Sequence, residues 1–512
     1  MSYETSVTVK TNDRGSEPDA PCSTRRLALE TAAVGGAFTL LFALKILPAN
    51  GIYSIDAFYH FKIARLMAQT GPVIDITWLP LTILGEAGPD HHWLWHLLLA
   101  PFGWIRNELT GLKWALVFNA TLVPTAFYLA CRRLGLTWPV LWTVLLFAGG
   151  TSFLSRLLML RAQNIAIVYL LIFLVLLIQQ RFRWLALVAF VFLQSYHGAL
   201  IVLIPVAIYF LASGLRLHHW RWDLLLAVAT GFTAALVINP WFPSNIEYLW
   251  FHTAFKVLNP QNLQVGPEWD SNTWALIYSE AWASHWLLLT GIAMSICYQR
   301  ELLKRPQVFT LLAFTLFTLV LYKFAYRFSE YYVPTAILTA AVLWSPYLSS
   351  AWPRLRWVVG LVAVSVGVMR IGGALDLFDN LPKSRFQIYQ GIVAALDQHA
   401  APGSLIFNAY WDDFPYLLWH STDFRYVNGL DPHYLAYSDP ERFELWNSLT
   451  GGARPPRDPV SAIREGLGSD WVILRRSQDA IYQYLLQDPR AILIRSTGSA
   501  HLFQLYETPP ET

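Results

Sequence analysis

The residues that can do chemistry stand where an apolar chain should have none. Asp56 follows directly on a long apolar run, in SIDAFYHFKIARLM (residues 54–67), with His60 one helical turn later. A carboxylate at that place can take a proton from a nucleophile or hold a cation. It can equally cap the helix that starts there, by accepting a backbone N–H of the first turn. The same loop continues to GPDHHWLWHLLLAPF, which supplies Asp90, His91, His92 and His96. A carboxylate beside imidazoles suits a divalent metal, and His92 and His96, four apart, share one helix face. With Trp93 and Trp95 the same histidines also suit an aromatic belt at a membrane surface.

Two sets of cations stand in apolar surroundings. Arg156 and Arg161 lie in TSFLSRLLMLRAQNIAI, and Lys323 and Arg327, with Glu330, in YKFAYRFSEYY. An unpaired charge there is costly, so each guanidinium needs an anion; a lipid phosphate is the diffusible one. Snorkelling to headgroups, or pairing with Asp56 or Asp90, is the alternative. The loop over residues 240–281 adds Glu247, His252, Glu268 and Asp270, which read as solvated charges, with Glu268 a further ligand for a cation. His197 ends a span and reads as a buried, satisfied histidine. Trp411, Asp412 and Asp413, in NAYWDDFPYLLWHS, fall at a strand-to-helix turn, where Asp is also a common cap.

The elements that must position these residues are membrane elements. Of 512 residues, 55% are hydrophobic and 14% charged, against about 25% charged in soluble domains, so the chain reads as an integral membrane protein. The net charge of +3 is carried by scattered residues, which excludes a nucleic-acid footprint. Residues 1–26 are polar, end in Arg25-Arg26 and show no cleavage site; they read as a cytoplasmic tail. About eleven apolar stretches suit transmembrane helices, over 27–48, 112–131, 136–153, 164–179, 184–196, 198–213, 223–239, 282–298, 307–322, 331–347 and 357–372. Alternation then puts Arg132-Arg133, Arg181/Arg183, Arg216/Arg221, Lys304-Arg305 and Arg354/Arg356 on the cytoplasmic face, as the positive-inside bias requires. The loop 49–111 lies outside, and its two short helices read as interfacial or re-entrant. Lys62, Arg65 and Gln69 form the polar side of the Asp56 helix, which predicts that it lies flat on the membrane. Cys22, Cys131 and Cys297 fall on or near the cytoplasmic side, which leaves no disulfide framework.

After residue 372 the composition turns soluble. SLIFNA, DWVILRR, AILIRS and HLFQLYE read as strands and RFQIYQGIVAALDQH as a helix, so residues 373–512 predict an extracytoplasmic α/β domain. The fold class expected is a polytopic α-helical membrane protein with such a domain at its C-terminus.

Asp56, Phe58, Tyr59 and His60 after the first span, an aromatic-rich first outer loop and an outward C-terminal domain resemble the GT-C membrane glycosyltransferases. Within them the chain is most similar to the catalytic subunit of oligosaccharyltransferases and its bacterial relatives. The resemblance implies a sugar or glycan moved from a polyprenyl-phosphate or polyprenyl-diphosphate donor to a glycan, lipid or protein acceptor outside the cytoplasm, at the cell membrane. It implies that Asp56 is the catalytic acid residue, in an inverting attack. His60, Arg156, Arg161, Lys323 and Arg327 would bind the donor, and Trp411, Asp412 and Asp413 would help define the acceptor. A divalent cation, magnesium or manganese, would be held by Asp56, Asp90, His91 and Glu268. Arg161, Ala162, Gln163 and Asn164 occupy the place of the family's second acid pair and supply no carboxylate, so a metal-independent reaction is the other expectation. A non-catalytic subunit of the same fold and a polyprenyl-linked glycan transporter are the alternative functions.

Overall fold

The computed structural model describes residues 24–85, 88–255, 266–350, 353–378, 386–451, 456–475, 479–498 and 500–510. The expected tail up to residue 23, with Cys22, lies outside them. Among the described residues four helices are long and apolar enough to cross a membrane: Thr24–Ile46 (α1), Glu108–Arg133, His197–Leu217 and Pro306–Phe324. Shorter apolar helices, Gln163–Ile178, Phe182–Ser195 and Trp222–Val237, stand where further spans were expected. At 16 residues, Gln163–Ile178 reaches about 24 Å, short of a hydrocarbon core of about 30 Å. The helix Ser329–Ser350 is the centre of the body: every residue from Ser329 to Ala341 is buried. Two of its hydroxyls are met by the neighbouring helix, Thr339 by Thr315 at 2.8 Å and Thr335 by Thr318 at 3.1 Å, which pairs polar groups that would otherwise stand unmatched in an apolar layer.

The span expected over 136–153 is broken. It forms two helices, Pro139–Ala148 and Thr151–Leu157, bent by 100°. The break falls at Gly149-Gly150, and a Cβ on Gly149 would sit 2.5 Å from Val333 of the central helix. Only glycine permits that approach. The second half therefore brings Arg156 toward the central helix instead of away from the body.

The loop 49–111 holds α2 (Asp56–Thr70) and α3 (Trp93–Gly103), and both are too short to span, as expected. The prediction that α2 lies flat on the membrane fails. Phe58, Phe61, Ile63 and Ala64 are all buried. Its polar side meets protein: Lys62 Nζ donates to the Trp419 carbonyl at 3.0 Å, and Arg65 donates to the carbonyls of Gly103 and Ile105 at 2.9 and 3.0 Å. The long stems of Lys62 and Arg65 cover apolar surface while their heads satisfy chain ends, a use of such residues that resembles a surface helix in sequence.

The C-terminal part forms one five-stranded sheet of β1 (Leu405–Asn408), β2 (Arg425–Tyr426), β3 (Trp471–Arg475), β4 (Ala491–Thr497) and β5 (Ala500–Leu505), in the order β2-β1-β3-β5-β4. β1 pairs in parallel with β2 and β3, while β5 runs antiparallel between β3 and β4. The inner strands β1 and β3 are almost continuously apolar, as strands covered on both faces are. The helix Phe386–His399 and four strands match the sequence pattern; β2, two residues long, carries too little pattern to read. The first loop is stitched to this sheet, since Trp78 Nε1 donates to the Thr422 carbonyl and the Tyr426 N–H to the Trp78 carbonyl, each at 2.8 Å. Phe58 packs edge-on against Trp419 with centroids 5.2 Å apart. A single apolar core thus runs from Phe42 through Phe58 to Ile406 and Leu502.

Candidate functional site

The first loop, the broken-span turn and the sheet domain enclose a cleft of about 750 Å³. Asp56, His60, His91, Arg156, Arg161, Glu268, Arg327, Trp411 and Asp412 line it. Asp90, Lys323 and Asp413, also expected at the site, are not on its lining.

One wall is charged. Asp56 opens α2 but does not cap it: Ile55 before it is already helical and no side-chain cap bond forms. The Asp56 carboxylate instead accepts from Arg161 at 2.6 Å. Arg161 also reaches Glu268 at 2.6 Å, and Glu268 takes Arg156 at 2.8 Å and Arg327 at 3.6 Å. Arg156 turns its Nε to Glu330, with both side chains only 4% exposed. Three carboxylates thus face three guanidiniums. Arg327 in addition lies over the Trp269 ring at 4.3 Å and donates to Tyr196 at 3.4 Å. The turn that carries Arg161 is pinned by Asn119 Nδ2, which donates to the Met159 carbonyl at 3.0 Å, and by Asn164 Nδ2, which donates to Leu157 at 2.8 Å. Burial works against the charge on Glu268, but Arg327, Arg161 and Arg156 outweigh it and hold the carboxyl well below the usual carboxylate range. Among the described residues Arg156 Nη2 and Arg161 Nε remain without a hydrogen-bond partner, so each arginine keeps donor capacity in hand.

The opposite wall is built of imidazoles. His96 Nδ1 lies 2.6 Å from Asp90 Oδ2 and His60 Nδ1 lies 2.9 Å from His96 Nε2. An ionised carboxylate only accepts, so His96 donates through Nδ1, its Nε2 accepts, and the His60 Nδ1–H donates to it. Asp90 also accepts the His92 N–H at 2.9 Å. Burial, reinforced by neighbouring imidazoles, holds His60 and His92 well below the usual histidine range, so both rings are neutral. His197 and His252, read from sequence as a packed span end and a solvated loop residue, line the cleft too. No local signal distinguishes them, because the helical segments that carry them, one starting at His197 and one over Phe251–Phe255, are brought to the cleft only by the whole fold.

At the sheet-to-helix turn, Trp411 and Asp412 face the cleft, held by Asn408, whose Nδ2 donates to the Tyr410 carbonyl at 3.0 Å. Asp413 departs from its expected place: it is buried and pairs with Arg475, which also holds Asp412 at 2.9 Å and lies over Tyr410 at 4.1 Å. Lys323 departs as well. It ends the helix Pro306–Phe324, where its carbonyl accepts the Asn272 N–H at 3.0 Å.

The residues expected to share a magnesium or manganese ion do not form one donor set. Asp56 and Glu268 close on the same guanidinium, and among the described residues neither belongs to a cluster of three adjacent metal-ligand atoms. Asp90 is committed to His96. Such ions want a set of oxygen ligands, and the acids of this cleft are already matched by arginines.

No protein-family model and no curated protein matches the sequence. Among solved structures, the fold matches ArnT from Cupriavidus metallidurans in the apo state, with a TM-score of 0.56 and 13% identity over 93% of this chain and 98% of that one. It matches the same protein bound to undecaprenyl phosphate with a TM-score of 0.57 over 96% and 100%. The GT-C fold expected from the first-loop motif is borne out at the level of architecture.

Proposed function

From a fold shared with ArnT, one of whose structures holds undecaprenyl phosphate, we propose that this protein is a membrane glycosyltransferase that takes a sugar from a polyprenyl-phosphate-type donor. The observation that carries the reading is the Asp56–Arg161 pair at 2.6 Å on the wall of the cleft, with Arg156 and Arg327 beside it. A carboxylate and a phosphate-binding cation are the two things such a transfer needs in one place.

In this reading the donor phosphate competes with Asp56 for Arg161. Asp56 and Arg161 are 32% and 20% exposed, so solvent screens their pairing more than it does the buried Arg156–Glu330 pair. A guanidinium–phosphate contact is bidentate and stronger, so donor binding releases the carboxylate. An acceptor O–H or N–H then attacks the anomeric carbon from the face opposite the phosphate. The new bond to carbon forms as the carbon–oxygen bond to phosphate breaks; the electron pair leaves on the phosphate and the proton goes to Asp56. Arg156, Arg161 and Arg327 offset the charge on the leaving phosphate. Trp411 and Asp412, on the sheet side, supply an acceptor wall. The outward orientation of the sheet domain, deduced from the arginine pairs of the expected cytoplasmic loops, belongs to the same reading. A transporter would carry its charges along a path through the body, whereas here they gather around one cleft.

The test is transfer from a polyprenyl-phosphate sugar by the purified protein and its Asp56→Asn variant. Loss of transfer with donor binding retained supports the reading. Unchanged transfer by the variant would remove Asp56 from the chemistry.

A further inference from the structure

Three histidines on the imidazole wall converge without stacking on one another. His60 comes from α2 and His92 and His96 from the start of α3. Their centroids are 5.1 Å (His60–His96), 5.3 Å (His60–His92) and 5.8 Å (His92–His96) apart. One ring nitrogen from each lies within 4.8 Å of the other two. Three imidazoles on one tetrahedral ion, bonded at about 2.0–2.1 Å, place their centroids about 5 Å apart. The His92 plane stands at 78° to His60 and 81° to His96, so it stacks on neither; its face lies along Tyr196 instead, at 8°. The second histidine triad of the cleft behaves differently: His252 lies nearly parallel to His197 and to His91, at 23° and 22°, the arrangement of stacked rings.

Two independent observations point to a ligand. His92 is 8% exposed, yet neither of its ring nitrogens has a hydrogen-bond partner among the described residues. A buried polar group left unmet costs about 1–3 kcal/mol, and bonding to an ion removes that cost for the nitrogen that ligates. His96 offers Nε2 to the triad while Asp90 accepts from its Nδ1, and a carboxylate behind the ring is the support that metal-bound histidines receive.

We infer that His60, His92 and His96 bind a divalent transition metal of the zinc class, clamping α2 to α3. Imidazole nitrogens as the whole protein donor set select such an ion over magnesium or calcium. The ion takes the place of the hydrogen between His60 Nδ1 and His96 Nε2; that proton moves to His60 Nε2, so the ring stays neutral and presents its Nδ1 lone pair to the ion. His60 and His92 also line the cleft, which leaves the fourth position to water or to an anionic oxygen from that side.

The full-length protein in detergent, stripped with a chelator and titrated with Zn²⁺, or with Co²⁺ as an optical probe, should take up a single ion per chain and regain the Tm lost on stripping. His92→Asn and His96→Asn should weaken that uptake by at least about 100-fold, and chelator should leave their Tm unchanged, while His197→Asn should titrate as the parent does. Absence of stoichiometric uptake by the parent overturns the inference. So does uptake abolished by His197→Asn and kept by His92→Asn, which assigns the ion to the stacked triad. Donor-lipid binding by the stripped protein is read separately, so failure of the metal site and failure of the proposed transfer are distinguishable.

Discussion

The two walls of the cleft solve the problem of burying polar groups in opposite ways. On one, Asp56, Glu268 and Glu330 face Arg161, Arg156 and Arg327, every charge balanced by a neighbour. On the other, burial keeps the imidazoles of His60 and His92 neutral, and one carboxylate, Asp90, sets the direction of the hydrogen-bond chain. A balanced charged wall can trade partners: in the proposed reaction an incoming phosphate would replace one carboxylate at an arginine. The imidazole wall has no guanidinium to offer an anion, so it suits a fixed role. The difference teaches that the exchangeable chemistry of this cleft belongs to the arginine side.

The largest effect expected from breaking that contrast is on turnover. Asp56→Asn keeps the shape of the side chain and removes the base, so transfer should fall by about 10²–10⁴-fold in a donor-lipid assay, with the fold retained in a thermal melt. Next comes stability within the charged wall. Glu330→Gln leaves buried Arg156 with Glu268 alone, and unfolding in detergent should show a loss of about 3 kcal/mol. Asp90→Asn on the imidazole wall keeps an acceptor for His96 and should cost less, about 1 kcal/mol; an equal or larger loss there would reverse the contrast. Arg161→Lys keeps the charge but loses the planar fork, so polyprenyl-phosphate binding should weaken about tenfold, or about 1.4 kcal/mol.

The smallest expected effect is on acid stability. The folded Glu268 carboxyl sits below its unfolded value of about 4.3. The unfolded chain therefore takes up the proton first, so the stabilising contribution of Glu268 is complete above that pH and is lost as pH falls below it. Thermal melts carried from about pH 5 down to about pH 2 should fall more steeply for the parent than for Glu268→Gln. Parallel curves would show that the arginines do not hold Glu268 in the charged form.

Local patterns in this chain are legible in some places and silent in others, for definite reasons. The strands over Leu405–Asn408, Trp471–Arg475, Ala491–Thr497 and Ala500–Leu505 show in sequence because short apolar runs report strand burial directly. The short helices of the first loop show for the same reason. The break at Gly149-Gly150 does not, because apolarity continues through it and only the approach of Val333 makes glycine necessary. Lys62 and Arg65 read as a wetted face because charged heads look alike in sequence whether they meet lipid headgroups or the carbonyls of Trp419 and Gly103.

By itself the sequence determined an apolar helical body with a separate strand-bearing part, an aspartate at the start of a first-loop helix, and cations set in apolar surroundings. These follow from composition and short-range periodicity, which a chain carries locally. Only the tertiary structure decided which acid each cation meets, that Asp56 pairs with Arg161 and does not cap its own helix, and that His60 converges with His92 and His96 from another element. The physical reason is that ion pairs and hydrogen-bonded chains depend on distances of a few ångströms between residues far apart in sequence, and those distances exist only once the apolar core has closed.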